Sequence, residues 1–202
     1  MTGRYHHGNL RTQVLRMAAE LVAEIGPDGL SLRELARRAD VSHAAPAHHF
    51  GDRRGVFTAL AAEGFALLAQ SLQGTATTGF ADAAVGYVSF AASHPGHFAV
   101  MFRPDLLDDG DETLLRARER AQAQLTWGLG RLRDHQISVG PQEARTAAWA
   151  LVHGIASLWL AGALPGADLE TVTRACAAQL FSGENSPHAG SSSDATASEA
   201  GE

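Results

Sequence analysis

Lysine is absent from this chain: all sixteen basic residues are arginine, a bias that points to GC-rich coding and not to a function. Cysteine occurs once, at Cys176, which excludes an intramolecular disulfide and fits a reducing cytoplasm. Met1 to Leu10 is polar, so no signal peptide is expected and the expected location is cytoplasmic. There is no phosphate-binding glycine motif, no Cys-His pair in a shared motif and no metal-spaced cluster. The chain is therefore read as a non-enzyme with no catalytic residue, no metal and no cofactor. Three histidine groups have the look of metal sites, and each has a plainer explanation. His6-His7 lacks a third ligand, His43, His48 and His49 fit an exposed helix better, and Pro95-Gly96 was expected to keep His94 and His97 apart. Ala147–Leu164 has no charged residue over eighteen positions, long enough for a membrane span. His153, Ser157, the alanine content and acidic flanks favour a buried helix instead, and no membrane partner is expected.

What is present begins with an uneven charge. Met1–Val56 carries eight arginines against six acids, and Phe57–Glu202 carries eight against sixteen, so +2 and −8 make up the net −6. A weakly basic head on an acidic body fits a protein that touches nucleic acid with one end. Chance fluctuation in charge accounts for the same numbers. At 202 residues the chain can hold one or two domains and a sizeable core.

The stretch from Leu30 to Arg53 reads as two short helices joined by a tight turn. Ser31 and Glu34 have capping-box spacing, with Ser31 Oγ toward the Glu34 N–H and Glu34 reaching back to Ser31, and Leu30 and Leu35 can staple the entry. The first helix runs to about Ala39, Asp40-Val41 turns, and Ser42 is expected to cap a second helix to about His49. That helix has few large apolar side chains and suits presentation to a groove. Ser31, Arg33, Ser42, His43, Ala44, Ala45, Ala47, His48 and Arg53 are the candidate DNA-contacting residues. Alanine can meet a thymine methyl and His43 a base edge or phosphate. A solvated helix face is the plain alternative for each.

Leu35-Ala36, Asp40-Val41-Ser42, His48-His49-Phe50 and Asp52-Arg53 resemble the DNA-binding domain of the TetR family of one-component repressors. Tyr5–Arg11 and Val41–Pro46 resemble one subgroup of it, whose C-terminal domain is marked by Trp and His-Gly, as are Trp149 and His153-Gly154. The resemblance runs from Tyr5 to Phe181. Two positions depart from the family's commoner pattern, Ala47 and Pro46, the second lacking a backbone N–H and costly deep in a helix but cheaper near the first turn. Ala47 stands where many members have an aromatic residue, usually Tyr, that contacts the DNA backbone. Arg53 stands where they carry a phosphate-binding Lys at a helix N-terminus, a place that favours an anion.

The resemblance implies an all-α fold: a three-helix head with its arm over 1–52, a helical effector-binding and dimerisation body over 53–181, and a tail over 182–202 whose composition predicts disorder. In the arm, Arg4 and Tyr5 were weighed as DNA contacts against a frayed terminus. Helices are expected near Asn9–Ile25, Arg53–Gln73, Phe80–Ser93, Asp111–Gln136, Ala147–Leu164 and Asp168–Phe181, with Phe98–Phe102 a short apolar segment.

The implied function is a homodimeric repressor released from a palindromic double-stranded DNA operator by a small apolar or amphipathic effector. Candidate pocket residues are Phe65, Phe98, Met101, Phe102, Trp127, Trp149 and His153, the last open between a core histidine and a ligand contact. Candidate dimer residues are Leu158, Gly162, Leu169, Val172 and Cys176. The rival readings are a helical small-molecule enzyme or carrier that has lost operator binding, and a protein-binding adapter.

Overall fold

The structure, a computed structural model, describes residues 7–73, 79–129 and 140–180, with side chains over 10–73, 79–125 and 140–180. The arm at Arg4 and Tyr5, the Trp127 side chain, the expected helix beyond Leu129 and the tail lie outside these residues, while the first helix starts at His7, two residues before its expected start at Asn9. No strand occurs among the described residues, so the fold is all-α.

Helix α1 (His7–Gly29) buries Val14, Leu15, Ala18, Leu21 and Val22. Ile25, expected on this stripe, is 44 % exposed. Gly26 takes φ 73° and breaks the helix at the next residue, and Ile25 lies over Gly29 instead of the core. Ser31 caps α2 (Leu32–Arg38), its Oγ accepting the Glu34 N–H at 3.2 Å. Glu34 does not reach back to Ser31. Its carboxylate takes Arg37 at 2.6 and 2.8 Å and Arg38 at 3.1 Å, and these guanidinium groups hold its pKa down to about 2. Arg38 also grips Glu24 of α1. Leu30 and Leu35 are both buried, as a staple requires.

Asp40 turns the chain with φ 52°. Helix α3 (Ala45–Phe50) starts later than the expected cap at Ser42, whose carbonyl accepts the Ala45 N–H while Ala44 caps without a side-chain bond. Pro46 falls in the first turn, where its missing N–H has no intrahelical partner to lose. Gly51, at φ 78°, then redirects the chain, and Asp52 Oδ1 accepts the Gly55 N–H at 2.8 Å to open α4 (Arg53–Gln73).

α4 is buried on all sides through Val56, Phe57, Leu60, Ala61, Phe65, Leu68 and Leu72. Among the described residues it is the one helix long and apolar enough to cross a membrane, but 61 % of its most apolar window is buried in the fold, as in a core helix. The all-round burial expected of Ala147–Leu164 is found here instead.

The body continues with α5 (Phe80–Ser93), α6 (Pro95–Met101), a short 3-10 turn (Pro104–Leu106), α7 (Glu112–Leu129), α8 (Pro141–Leu160) and α9 (Leu169–Leu180). α4 packs between α6 and α7, α6 lies across α1, and α5 packs on α8 and α9. Pro95-Gly96, expected to close a turn, starts a helix. Gly96 brings α6 so near α1 that an added Cβ would strike the Ala19 carbonyl oxygen. Gly64 of α4 is also close, its added Cβ lying 2.6 Å from Met101 Sδ, a side chain that can yield.

Gly154 and Gly162, the glycines of the apolar Ala147–Leu164 stretch, have nothing within 4 Å of an added Cβ. Gly162 lies past the end of α8 at φ 69°, the conformation of a helix stop. On α9, Leu169, Val172, Cys176 and Leu180 recur at helical spacing yet are half-buried or exposed. Thr173 and Ala177 face inward instead, the Thr173 hydroxyl being satisfied by the Leu169 carbonyl at 2.7 Å.

Candidate functional site

Two regions carry the chemistry: the face of α2 and α3, and a cavity among α4, α5, α7 and α8. On the first, Ser31, Arg33, Ser42, His43, Ala44, Ala47 and His48 are exposed. Ala45 is not; at 8 % exposure it packs inward with Pro46 and leaves the candidate set. The inward position follows from the late start of α3, which turns Ala45 and Pro46 to the core and Ala47 and His48 outward. The short helix is braced from behind. Gln13 of α1 donates to the Ala39 carbonyl at 2.8 Å, and the Arg11 guanidinium stands 4.9 Å over the Phe50 ring. Arg53, expected at a phosphate, folds back on its own domain. Its Nη2 donates to the Pro27 carbonyl at 2.6 Å, the guanidinium lies 5.0 Å from the Phe57 ring, and Nε is buried without a partner.

Of the two adjoining chambers beside α8, the larger measures about 550 Å³ and is walled by Phe65, Leu68, Met101, Phe102, Leu125 and Trp149, with Arg118 in its lining. A second chamber of about 310 Å³ shares Tyr87, Gln122, Leu125 and Trp149 with it and opens toward Gln142, Arg145 and Thr146. Phe65, Met101, Phe102 and Trp149 thus line the space as expected. Phe98 and His153 stand behind the wall: the His153 ring lies 5.1 Å from Phe98, 4.8 Å from Phe102 and 5.7 Å from Trp149.

His153 Nδ1 pairs with the Tyr87 hydroxyl at 3.1 Å. Burial lowers the His153 pKa and favours the neutral ring, in which the tautomer sets which of the two groups donates. Burial raises the Tyr87 pKa, partly offset by a hydrogen bond from Trp149. The subgroup-marking Trp and His are therefore both tied to one buried tyrosine, a structural role for each that leaves the Trp149 ring, 46 % exposed, facing the cavity.

Sequence reading missed Tyr87, Leu68, Arg118, Gln122 and Leu125 as cavity residues. Arg118, Gln122 and Leu125 recur at i, i+4 and i+7 on α7, a signal that was there to find. Tyr87 and Leu68 carry none, since inward apolar positions look alike until the helices are assembled. Between cavity and head, His97 Nε2 meets Glu63 Oε2 at 3.0 Å and links α6 to α4. His94 and His97, expected apart, have rings 5.7 Å from one another because Pro95-Gly96 opens a helix. His94 Nδ1 turns to the Phe90 carbonyl.

Residues 80–180 match the family model described as the tetracyclin repressor-like C-terminal domain. Residues 14–60 match that of the bacterial regulatory proteins of the tetR family. The HTH-type transcriptional repressor AcnR of Corynebacterium efficiens is 38 % identical over 64 residues, which is 32 % of this chain and 34 % of the relative. The match thus spans about a third of that curated relative. A solved protein of unknown function from Rhodococcus sp. RHA1 is 33 % identical, with TM-score 0.72 over 89 % of this chain and 97 % of its own. AibR, solved with isovaleryl coenzyme A and operator DNA, superposes at TM-score 0.66 over 85 % of this chain and 98 % of its own, and at 15 % identity shares the fold alone.

Proposed function

This chain belongs to the tetR family of bacterial transcription regulators, and from that premise we propose that it is a homodimeric repressor whose operator binding is released by a small effector. One observation carries the reading: the apolar cavity is walled by Phe65 and Leu68 of α4, the helix whose first turn follows directly on α3. A molecule filling the cavity pushes on the element that roots the head. AibR, with the same fold, was captured with both an acyl-coenzyme A and operator DNA, which supports pairing the two kinds of partner here.

In this reading residues 1–52 form the head and 53–181 the body. Ser31, Arg33, Ser42, His43, Ala44, Ala47 and His48 face the DNA. With no aromatic residue at position 47, the backbone contact made there in many relatives is absent. α3 enters a major groove, and a twofold dimer then requires half-sites about 34–36 Å apart or a multiple of that. A second copy covers the apolar surface left open on α8 and α9, where Leu158, Leu160 and Leu180 are exposed beside half-buried Leu169, Val172 and Cys176. By linkage, effector and operator weaken one another by the same factor.

Selection of genomic fragments by the purified protein, followed by sequencing, tests the proposal. One palindromic motif is expected, with affinity falling steeply in salt. Weak, sequence-blind binding, persisting after refolding to strip any retained ligand, would turn the assignment to a carrier or enzyme on the same fold.

A further inference from the structure

The acidic loop before α7 makes two connections at once. Its Asp109 carboxylate pairs with Arg118 at 2.8 Å, and both residues line the rim of the larger cavity. One residue earlier, the Asp108 N–H donates to Thr58 Oγ1 at 2.9 Å, and the Leu107 carbonyl accepts from Arg54. Arg54 and Thr58 belong to the first turns of α4, immediately after α3. A single short loop therefore joins a cavity cation to the root of the head.

Among the described residues, Arg118 is the one cation lining the larger cavity. Its guanidinium lies 5.7 Å from the Phe65 ring, facing a sleeve of otherwise mostly apolar walls. Such a sleeve with one guanidinium at its end fits a molecule with an apolar body and an anionic head, because the planar fork of arginine grips a carboxylate through two hydrogen bonds. The existing partner is easily displaced: the Arg118 and Asp109 side chains are 29 % and 56 % exposed, a class of ion pair that is weak. Arg145, on the smaller chamber, is the poorer anchor, being exposed and tied through Nε to the Pro141 carbonyl at 3.1 Å.

We propose that the effector is a carboxylate-headed amphiphile whose head takes Arg118 from Asp109, freeing the Leu107–Asp109 loop that braces the start of α4. The proposal rests on the reading of this cavity as the effector site. It gives that site a chemical class of ligand and a route to the head.

The test compares decanoate, decanol and decylamine, below their aggregation concentrations, by calorimetry on the full chain. The wild type is expected to bind decanoate about tenfold tighter than decanol, with the amine weakest. R118Q is expected to lose that preference while binding decanol as before, R145Q to keep it, and D109N to bind decanoate more tightly. Hydrogen exchange at the Asp108 amide is expected to quicken when decanoate, and not decanol, is bound. Decanol binding as well as decanoate in the wild type would overturn the carboxylate assignment and leave the cavity reading standing. So would a preference that survives in R118Q. An Asp108 amide indifferent to decanoate would overturn the route to the head. Binding of none of the three would overturn both the proposal and the cavity reading.

Discussion

At the scale of single residues, the two marker side chains of the body have separable duties. His153 pairs with the Tyr87 hydroxyl while Trp149 faces the cavity. Burial holds the His153 pKa below its ordinary value near 6.5. The unfolded chain therefore takes up this proton first as the pH falls. The contribution of neutral His153 is full above about pH 6.5 and is lost as the pH drops from there toward the folded value. The thermal midpoint of the wild type is expected to fall more steeply below pH 6.5 than that of His153→Gln, and parallel curves would show that the ring carries no such linkage.

On the head, His48 is exposed on α3, so His48→Ala is expected to weaken operator binding by about 1–3 kcal/mol with an unchanged melting midpoint. Which of the candidate head residues are exposed was largely legible in the sequence, because capping and turn signals are local. Ala45 was misplaced because the start of a six-residue helix decides which alanine turns inward. Ser42 looked like the cap, but the backbone runs past it before Ala44 takes the position.

At the scale of elements, periodicity located most of the helices, and α4 and α5 were bounded correctly to the residue. Burial was less legible. α8 reads as the more evenly apolar helix yet leaves Trp149, Leu158 and Leu160 exposed, whereas α4 is enclosed because α1, α5, α6 and α7 all pack on it. Composition states what a helix can bury, and only the neighbours decide what it does bury. α6 was missed as a helix because its Pro-Gly start reads as a stop.

That start has a purpose in packing. Gly96 lets α6 lie on the backbone of α1, joining the head to the body at a second place besides α4. Gly96→Ala is expected to destabilise the fold by about 1–3 kcal/mol, as overpacking does, because backbone at Ala19 cannot yield as a flexible side chain can. Urea unfolding measures this, and a loss under about 0.5 kcal/mol would mean the two helices separate freely.

At the scale of the whole molecule, a single copy leaves an apolar surface at the ends of α8 and α9. Leu158 is 50 % exposed there, the most open of the large apolar side chains among the described residues. Leu158→Asp is expected to convert the dimer to monomer in light scattering and to lower operator affinity, since one head then binds without its twin. A wild type that is already monomeric at micromolar concentration would remove the twofold operator from the account.

The central claim is that cavity and head are two ends of one switch. The measurement that tests it most directly is the affinity for the selected operator with the cavity empty and with it saturated by whichever of decanoate, decanol or decylamine binds. The account predicts that the occupant weakens operator binding, and that the operator weakens occupant binding by the same factor. An operator affinity unmoved by a saturating occupant would contradict it.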